Sequence, residues 1–228
     1  MLHFDSMKDE FPMRINKYLA LKNHSTRRGA DELIEKHQVL INGRFAVLGD
    51  KVNESDVVEV RGNKKAEHYE YFAFNKPVGV MTESINQAGL FPLGRLDKDS
   101  HGLIILTNDG RVTDRLLNPK YNHTKEYVVK TKEKLRANFK QKMERGVQIE
   151  NEQAKPAMVK ILGDRKFRVI LTEGKKHQIR RMCSALFAEV EDLERVRIMN
   201  IELGKLASNQ YRKIEGEELK TFLKSLGL

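Results

Sequence analysis

An arginine and an aspartate stand two residues apart in Gly94-Arg95-Leu96-Asp97-Lys98-Asp99-Ser100-His101-Gly102, a glycine-bounded stretch. The apolar run from Leu103 to Leu106 follows and stops at Asn108-Asp109-Gly110, a turn signal. An apolar run bounded by turn residues reads as a buried strand. A carboxylate and a cation are thus presented on a loop at the edge of a rigid sheet, where chemistry is commonly placed. A carboxylate there acts as nucleophile or general base if it stays ionised while shielded from water, which needs a cation held against it. Taken alone, the spacing favours a plainer arrangement, a surface loop with a local ion pair.

Two other stretches could supply what such a carboxylate needs. Glu173-Gly174-Lys175-Lys176-His177-Gln178-Ile179-Arg180-Arg181-Met182 opens a helix directly after a strand ending at Thr172. Arg180 falls between Ile179 and an apolar run from Met182 to Leu186, and a guanidinium suits a bidentate carboxylate pair. The alternative is that Arg180 and Arg181 form a solvated basic face that touches phosphates only. In Lys125-Glu126-Tyr127-Val128-Val129 a tyrosine lies on a strand. Its ring could stack on a nucleobase and its hydroxyl could move a proton, although from sequence alone Tyr127 is a core residue. The seven histidines are scattered and Cys183 has no second cysteine, so no metal-ligand set is present. No glycine-rich phosphate loop appears, and Ser100-His101 lacks the elbow context of a serine hydrolase. Side chains acting without a cofactor or metal are expected to carry any chemistry.

The elements that must position these residues follow from periodicity. Residues 1–12 read as a flexible arm. Apolar positions 15, 18, 19 and 21 mark one face of a short helix, and Thr26 can cap a second helix running to about Lys36. Val39 to Ile41 is a strand entering a turn at Asn42-Gly43, and Val57 to Val60 is another. Residues 13–61 therefore form a compact α-α-β unit, and 62–66 a polar linker. In residues 67–228 strands are expected at 69–75, 126–129, 158–162, 167–172 and 190–199. Helices are expected at 111–117, 133–145, 176–187 and 217–226. Strands joined both by turns and by helices point to an α+β domain with a mixed, mainly antiparallel sheet.

The 228 residues carry 42 Lys+Arg against 32 Asp+Glu, a formal net charge of +10, and 39% are hydrophobic. That excess favours a polyanionic partner, because phosphates attract it and released counterions drive binding. Residues 1–65 hold 12 Lys+Arg and 10 Asp+Glu, leaving 30 and 22 for residues 66–228. The small unit is nearly neutral, yet Arg14, Lys17, Lys22, Arg27 and Arg28 gather on and between its two helices. Phosphate binding and plain solvation suit that face equally. One cysteine, no apolar stretch of membrane-spanning length and a polar N-terminus lead us to expect a cytoplasmic protein with no membrane association.

Together these stretches resemble the pseudouridine synthases, and within them the group that acts on single ribosomal uridines. Phe74-Asn75-Lys76-Pro77-Val78-Gly79-Val80 resembles the first motif of that family, Gly94 to Gly110 its aspartate motif, Lys125-Glu126-Tyr127 its tyrosine motif, and Glu173 to Met182 its arginine motif. Residues 13–61 resemble the small αL-type RNA-binding domain named after ribosomal protein S-four. Asp97-Lys98-Asp99-Ser100, Arg180-Arg181-Met182-Cys183 and Arg195-Val196-Arg197-Ile198-Met199-Asn200 are most similar to the RluF-like branch, which modifies large-subunit (23S) rRNA.

The resemblance implies that Asp97 is the catalytic aspartate, that Arg180 pairs with it, that Tyr127 stacks on the target base, and that Ile179 packs beside it. It implies that Arg95 faces the RNA once the uridine is flipped out of its helix. Arg14, Lys17, Arg27, Arg28, Lys175, Lys176 and Arg181 are the further RNA-contact candidates. Two departures stand out. The segment between Gly79 and Gly94 is roughly ten residues shorter than such relatives carry, and His177 stands where this branch often has arginine. The expectation is a monomeric, cofactor-free uridine isomerase acting on structured RNA, 23S rRNA first. Small-subunit rRNA or tRNA is the alternative substrate, and a non-catalytic ribosome-assembly factor the rival from another class.

Overall fold

The apolar run after Asp97 lies in the strand His101–Thr107, buried from Gly102 onward. It is sandwiched edge to edge, and a strand covered on both faces reads as continuous hydrophobic sequence. On one side it pairs antiparallel with Tyr71–Lys76, Ala73 opposite Ile105. On the other it pairs parallel with Val190–Ile198, through Glu194 opposite His101 and Arg195 opposite Gly102. The sheet continues outward from Val190–Ile198 through Lys125–Thr131, Lys166–Leu171 and Met158–Gly163, and ends on its other side at Tyr211–Lys213. Every other pairing along this path is antiparallel. The fold is thus the mixed, mainly antiparallel α+β sheet expected. The structure, a computed structural model, describes residues 11–22, 24–61, 69–85, 89–150 and 152–228.

Ile104, Leu106, Val129, Phe167, Val169 and Leu193 fill one face of the sheet, under Met182 and Cys183 of the helix Gln178–Ala185 and Phe139 and Met143 of Phe139–Arg145. The Phe139 and Phe167 rings meet edge to face at 4.8 Å. Each such side chain, fully buried, contributes about 1.5–3 kcal/mol, so the platform beside Asp97 is rigid. Gly102 permits the parallel pairing. Its φ is +102°, and a Cβ there would lie 2.4 Å from the carbonyl oxygen of Arg195.

Contacts divide the chain into two compact units, Met1–Tyr69 with Asp109–Arg111, and Glu70–Asn108 with Val112–Leu228. In the first, Thr26 Oγ1 accepts from the Gly29 N–H at 3.0 Å and starts the helix Arg27–Glu35. Asn42 and Gly43 both take positive φ, the backbone a two-residue hairpin turn needs. Ile15 and Leu19 of the helix Ile15–Leu21 pack on Ala30, Ile34, Val39 and Ile41. Short strands absent from the α-α-β expectation complete this unit, Met13–Arg14 pairing with Lys51–Val52 and Arg44–Phe45 with Val39–Ile41.

Other expectations need correction. Phe11 packs on the small core, so the arm of residues 1–12 is anchored at its end, while residues 1–10 and the linker 62–66 lie outside the described residues. The helix expected over 133–145 shrinks to Phe139–Arg145. The Leu135 N–H donates to Asp164 at 2.7 Å, and that bond to a neighbouring hairpin replaces a helical one. The helix expected over 176–187 is Gln178–Ala185, because left-handed His177 ends the preceding turn.

Candidate active site

The loop that carries Asp97 is fixed from beneath. Thr82, itself buried, accepts from the Leu96 N–H at 3.0 Å and donates its hydroxyl to the Leu96 carbonyl at 2.8 Å. The Ser100 N–H closes a turn onto the Asp97 carbonyl at 3.0 Å. Lys76, with no exposed surface, gives its ammonium to the carbonyls of Pro77 (2.9 Å), Val80 (2.7 Å) and Lys98 (3.4 Å). Burial lowers the pKa of Lys76, and the charges of Asp97 and Asp99 oppose that. The "Lys-Pro" of the first motif is therefore the floor of the aspartate loop.

The partner against Asp97 is not the one expected. His177 Nδ1 lies 3.2 Å from Asp97 Oδ2. Arg180 forms no ion pair with Asp97; its guanidinium donates to the Asp99 carbonyl at 2.9 Å, the Val190 carbonyl at 3.3 Å and Ser100 Oγ at 3.4 Å. The physical reason lies in the turn before the helix. Left-handed His177 immediately precedes Gln178–Ala185 and meets the carboxylate, whereas Arg180, inside the helix, meets the far end of the loop. Arg95, 80% exposed, reaches Glu83 at 3.5 Å and makes no ion pair with Asp97.

Asp97, Tyr127 and Ile179 line one cleft of about 950 Å³, within the size range of small-molecule sites. Tyr127 is 9% exposed, so it is at once a core residue, as the sequence alone implied, and part of the cleft wall. Sequence reasoning passed over three further polar residues of this wall, Arg195, Lys125 and His123. Arg195 sits directly opposite Tyr127 in the sheet, donates to the carbonyls of Leu103 (2.7 Å) and Arg95 (3.4 Å), and is 2% exposed. Burial lowers the pKa of both Lys125 and His123, and the charge of Arg195 lowers that of Lys125 further. The strand Val190–Ile198 carries Glu191, Asp192, Glu194 and Arg197 as well, so nothing in its pattern marks Arg195 out. Among the described residues no group of three His, Cys, Asp or Glu side chains could hold a metal ion, and no helix is long and apolar enough to cross a membrane.

Residues 70–185 match the RNA pseudouridylate synthase family, and residues 13–58 match the S4 domain. The dual-specificity RNA pseudouridine synthase RluF of Escherichia coli K12 is 37% identical over 93% of this chain and 79% of its own length. The chain belongs to the RNA pseudouridylate synthase family. Ribosomal large subunit pseudouridine synthase B of Bacillus subtilis is 34% identical over 91% of this chain and 94% of its own length. Ribosomal small subunit pseudouridine synthase A of Pasteurella multocida is 32% identical over 93% of this chain and all of its own. A crystal structure of a pseudouridylate synthase superposes with a TM-score of 0.68 at 28% identity, covering 94% of this chain and 99% of that one. The enzyme is thus an RNA pseudouridine synthase with an N-terminal S4 domain.

The basic residues of the synthase fall into two kinds. Arg14, Arg27 and Arg28 are exposed and Lys17 half-buried, and none has a carboxylate partner among the described residues. Lys175 and Arg181 are instead engaged within the protein. Lys175 reaches Glu152 at 2.8 Å, and Arg181 reaches Glu150 at 3.2 Å and Glu152 at 3.4 Å. Both expected RNA-contact residues are thus paired with carboxylates of their own chain, and Lys175 also lines the cleft. Lys176 is exposed and lines the cleft.

Proposed function

We propose that this synthase isomerises one uridine of large-subunit (23S) ribosomal RNA, with Asp97 as the catalytic residue. The observation that supports this most is the placing of Asp97, on a loop held by Thr82, Lys76 and Arg180, in one cleft with Tyr127 and Ile179. The carboxylate acts at the sugar so that the N1–C1′ bond breaks; the base turns and C5 bonds to C1′. The C5 proton leaves, N1 gains one, and atoms and electrons balance without a cofactor. Tyr127 stacks on the base and Ile179 packs beside it. The uridine must be flipped, because C1′ and C5 are not both reachable in a stacked helix. Arg180 acts as a positioning residue through Asp99 and Ser100, and His177 holds the carboxylate.

The S4 domain supplies phosphate contacts through Arg14, Lys17, Arg27 and Arg28, and Arg95 faces the RNA from the cleft rim. The enzyme works as a monomer in the cytoplasm. The likeness to ribosomal large subunit pseudouridine synthase B, at 34% identity, supports large-subunit rRNA, with small-subunit rRNA or tRNA as the alternative substrate. Mapping pseudouridines in total RNA from a deletion strain tests this. One large-subunit position should lose its pseudouridine and regain it when the gene is restored. A loss confined to small-subunit rRNA or tRNA would reassign the substrate, and an unchanged map would remove the proposal.

A further inference from the structure

Lys125 and Glu126 are neighbours on one strand, and their charges meet opposite fates. Glu126, buried, is answered by Arg168 at 3.0 Å and by Arg197. Lys125 lies on the other face of the strand, with Tyr127, and lines the cleft. Its ammonium group has neither a carboxylate nor a carbonyl partner among the described residues. The charge that acts on it is a like one, Arg195. Arg195 Nη2 is itself buried without a hydrogen-bond partner. Two cations thus flank Tyr127 on the cleft side of the sheet, unneutralised. Buried unpaired charge is costly, and proteins keep it where a ligand's charge completes the site.

We propose that Lys125 is a further catalytic residue, whose ammonium group holds a carbonyl oxygen of the uracil and takes the negative charge that develops on the ring as the N1–C1′ bond breaks. Arg195 stands beside it as a fixed second positive charge. The proposal rests on the isomerisation at Asp97. When N1–C1′ breaks, its electron pair stays with the base and spreads onto O2 and O4. C5 then uses ring electrons to bond C1′ and releases its proton, so the charge on the ring is transient. A cation aimed where charge develops, in a site shielded from water, lowers the barrier without preferring the resting substrate. Tyr127 beside it would fix the plane of the ring.

The test uses the full chain in excess over 23S rRNA labelled with 5-tritiated uridine, isolated from the deletion strain. Tritium release gives the single-turnover rate, and filter binding the affinity. Lys125→Met should slow release by about 100-fold, equal to about 2.7 kcal/mol of added barrier, while affinity stays within about threefold. Lys125→Arg should recover most of the rate. Because the methionine variant sheds an unpaired, half-buried charge, its melting temperature should rise by about 2–4 °C. Weakened binding with the rate kept at saturation would move Lys125 to a backbone phosphate. A lowered melting temperature, or an arginine variant as slow as the methionine one, would make Lys125 structural; either result overturns the proposal. If the wild-type chain releases no tritium, the isomerase reading fails; if wild type and Lys125→Met release it equally, Lys125 alone is at fault.

Discussion

The cleft and the S4 domain both present positive charge, but they hold it in opposite ways. Around the cleft Lys76, Arg180 and Arg195 are tied to backbone carbonyls and packed under or behind the Asp97 loop. On the S4 domain Arg14, Arg27 and Arg28 stand in solvent without carboxylate partners among the described residues. Held charge sets geometry and barrier heights, because it costs nothing to reorganise during reaction. Free charge adapts to a phosphate backbone and is screened by salt. On the function proposed above, the same residue types divide the work, the cleft governing rate and the S4 domain affinity.

Arg180→Ala probes that division where the effect on rate is large. Losing its bonds to Asp99, Ser100 and Val190 frees the loop, and a misplacement of about 1 Å can cost about 100-fold. Turnover should fall by that order with RNA affinity almost unchanged; a loss confined to affinity would put Arg180 on phosphate and blur the two regions. The converse change, Arg27→Ala with Arg28→Ala, should weaken RNA binding by about tenfold and reduce the salt slope by about one per lost phosphate contact. The single-turnover rate at saturation should hold. A fall in that rate would show the S4 domain acting on chemistry.

Smaller effects sharpen the contrast through stability. Thr26→Ala removes the cap of the helix Arg27–Glu35 and should cost about 1 kcal/mol in denaturant unfolding, leaving cleft residues and their rate untouched. Lys125 gives the weakest signal. Burial lowers its pKa, so between that lowered value and the ordinary 10.5 the native chain binds fewer protons than the unfolded one. Stability contributed by this group then rises with pH across the window. Lys125→Met should flatten the rise in part, since Lys76 is lowered the same way; an unchanged slope between neutral pH and about pH 10 would count against burial of the Lys125 charge.

Local signals were legible in the sequence. The cap at Thr26, the Asn42-Gly43 turn, the helix Arg111–Leu117 and the apolar strand after Asp97 depend on residues close in the chain, and all formed as read. The carboxylate's partner was not legible in the same way. Pairing His177 rather than Arg180 with Asp97 depends on a left-handed residue at the helix start, and histidine gives no strong signal for that conformation. Arg195 and Lys125 were hidden for another reason. Their meaning comes from sheet register, Arg195 opposite Tyr127 and Lys125 opposite Ile198, which a single strand's pattern does not contain.

Asp97 is the group proposed to start the isomerisation, and Asp97→Asn keeps its size while removing its charge. Tritium release from 5-tritiated uridine in the 23S rRNA of the deletion strain, measured with this variant in excess, tests it most directly. We expect release to drop by at least about 1,000-fold, or roughly 4 kcal/mol of barrier, with RNA affinity within about threefold of wild type. Release at the wild-type rate would contradict the central claim.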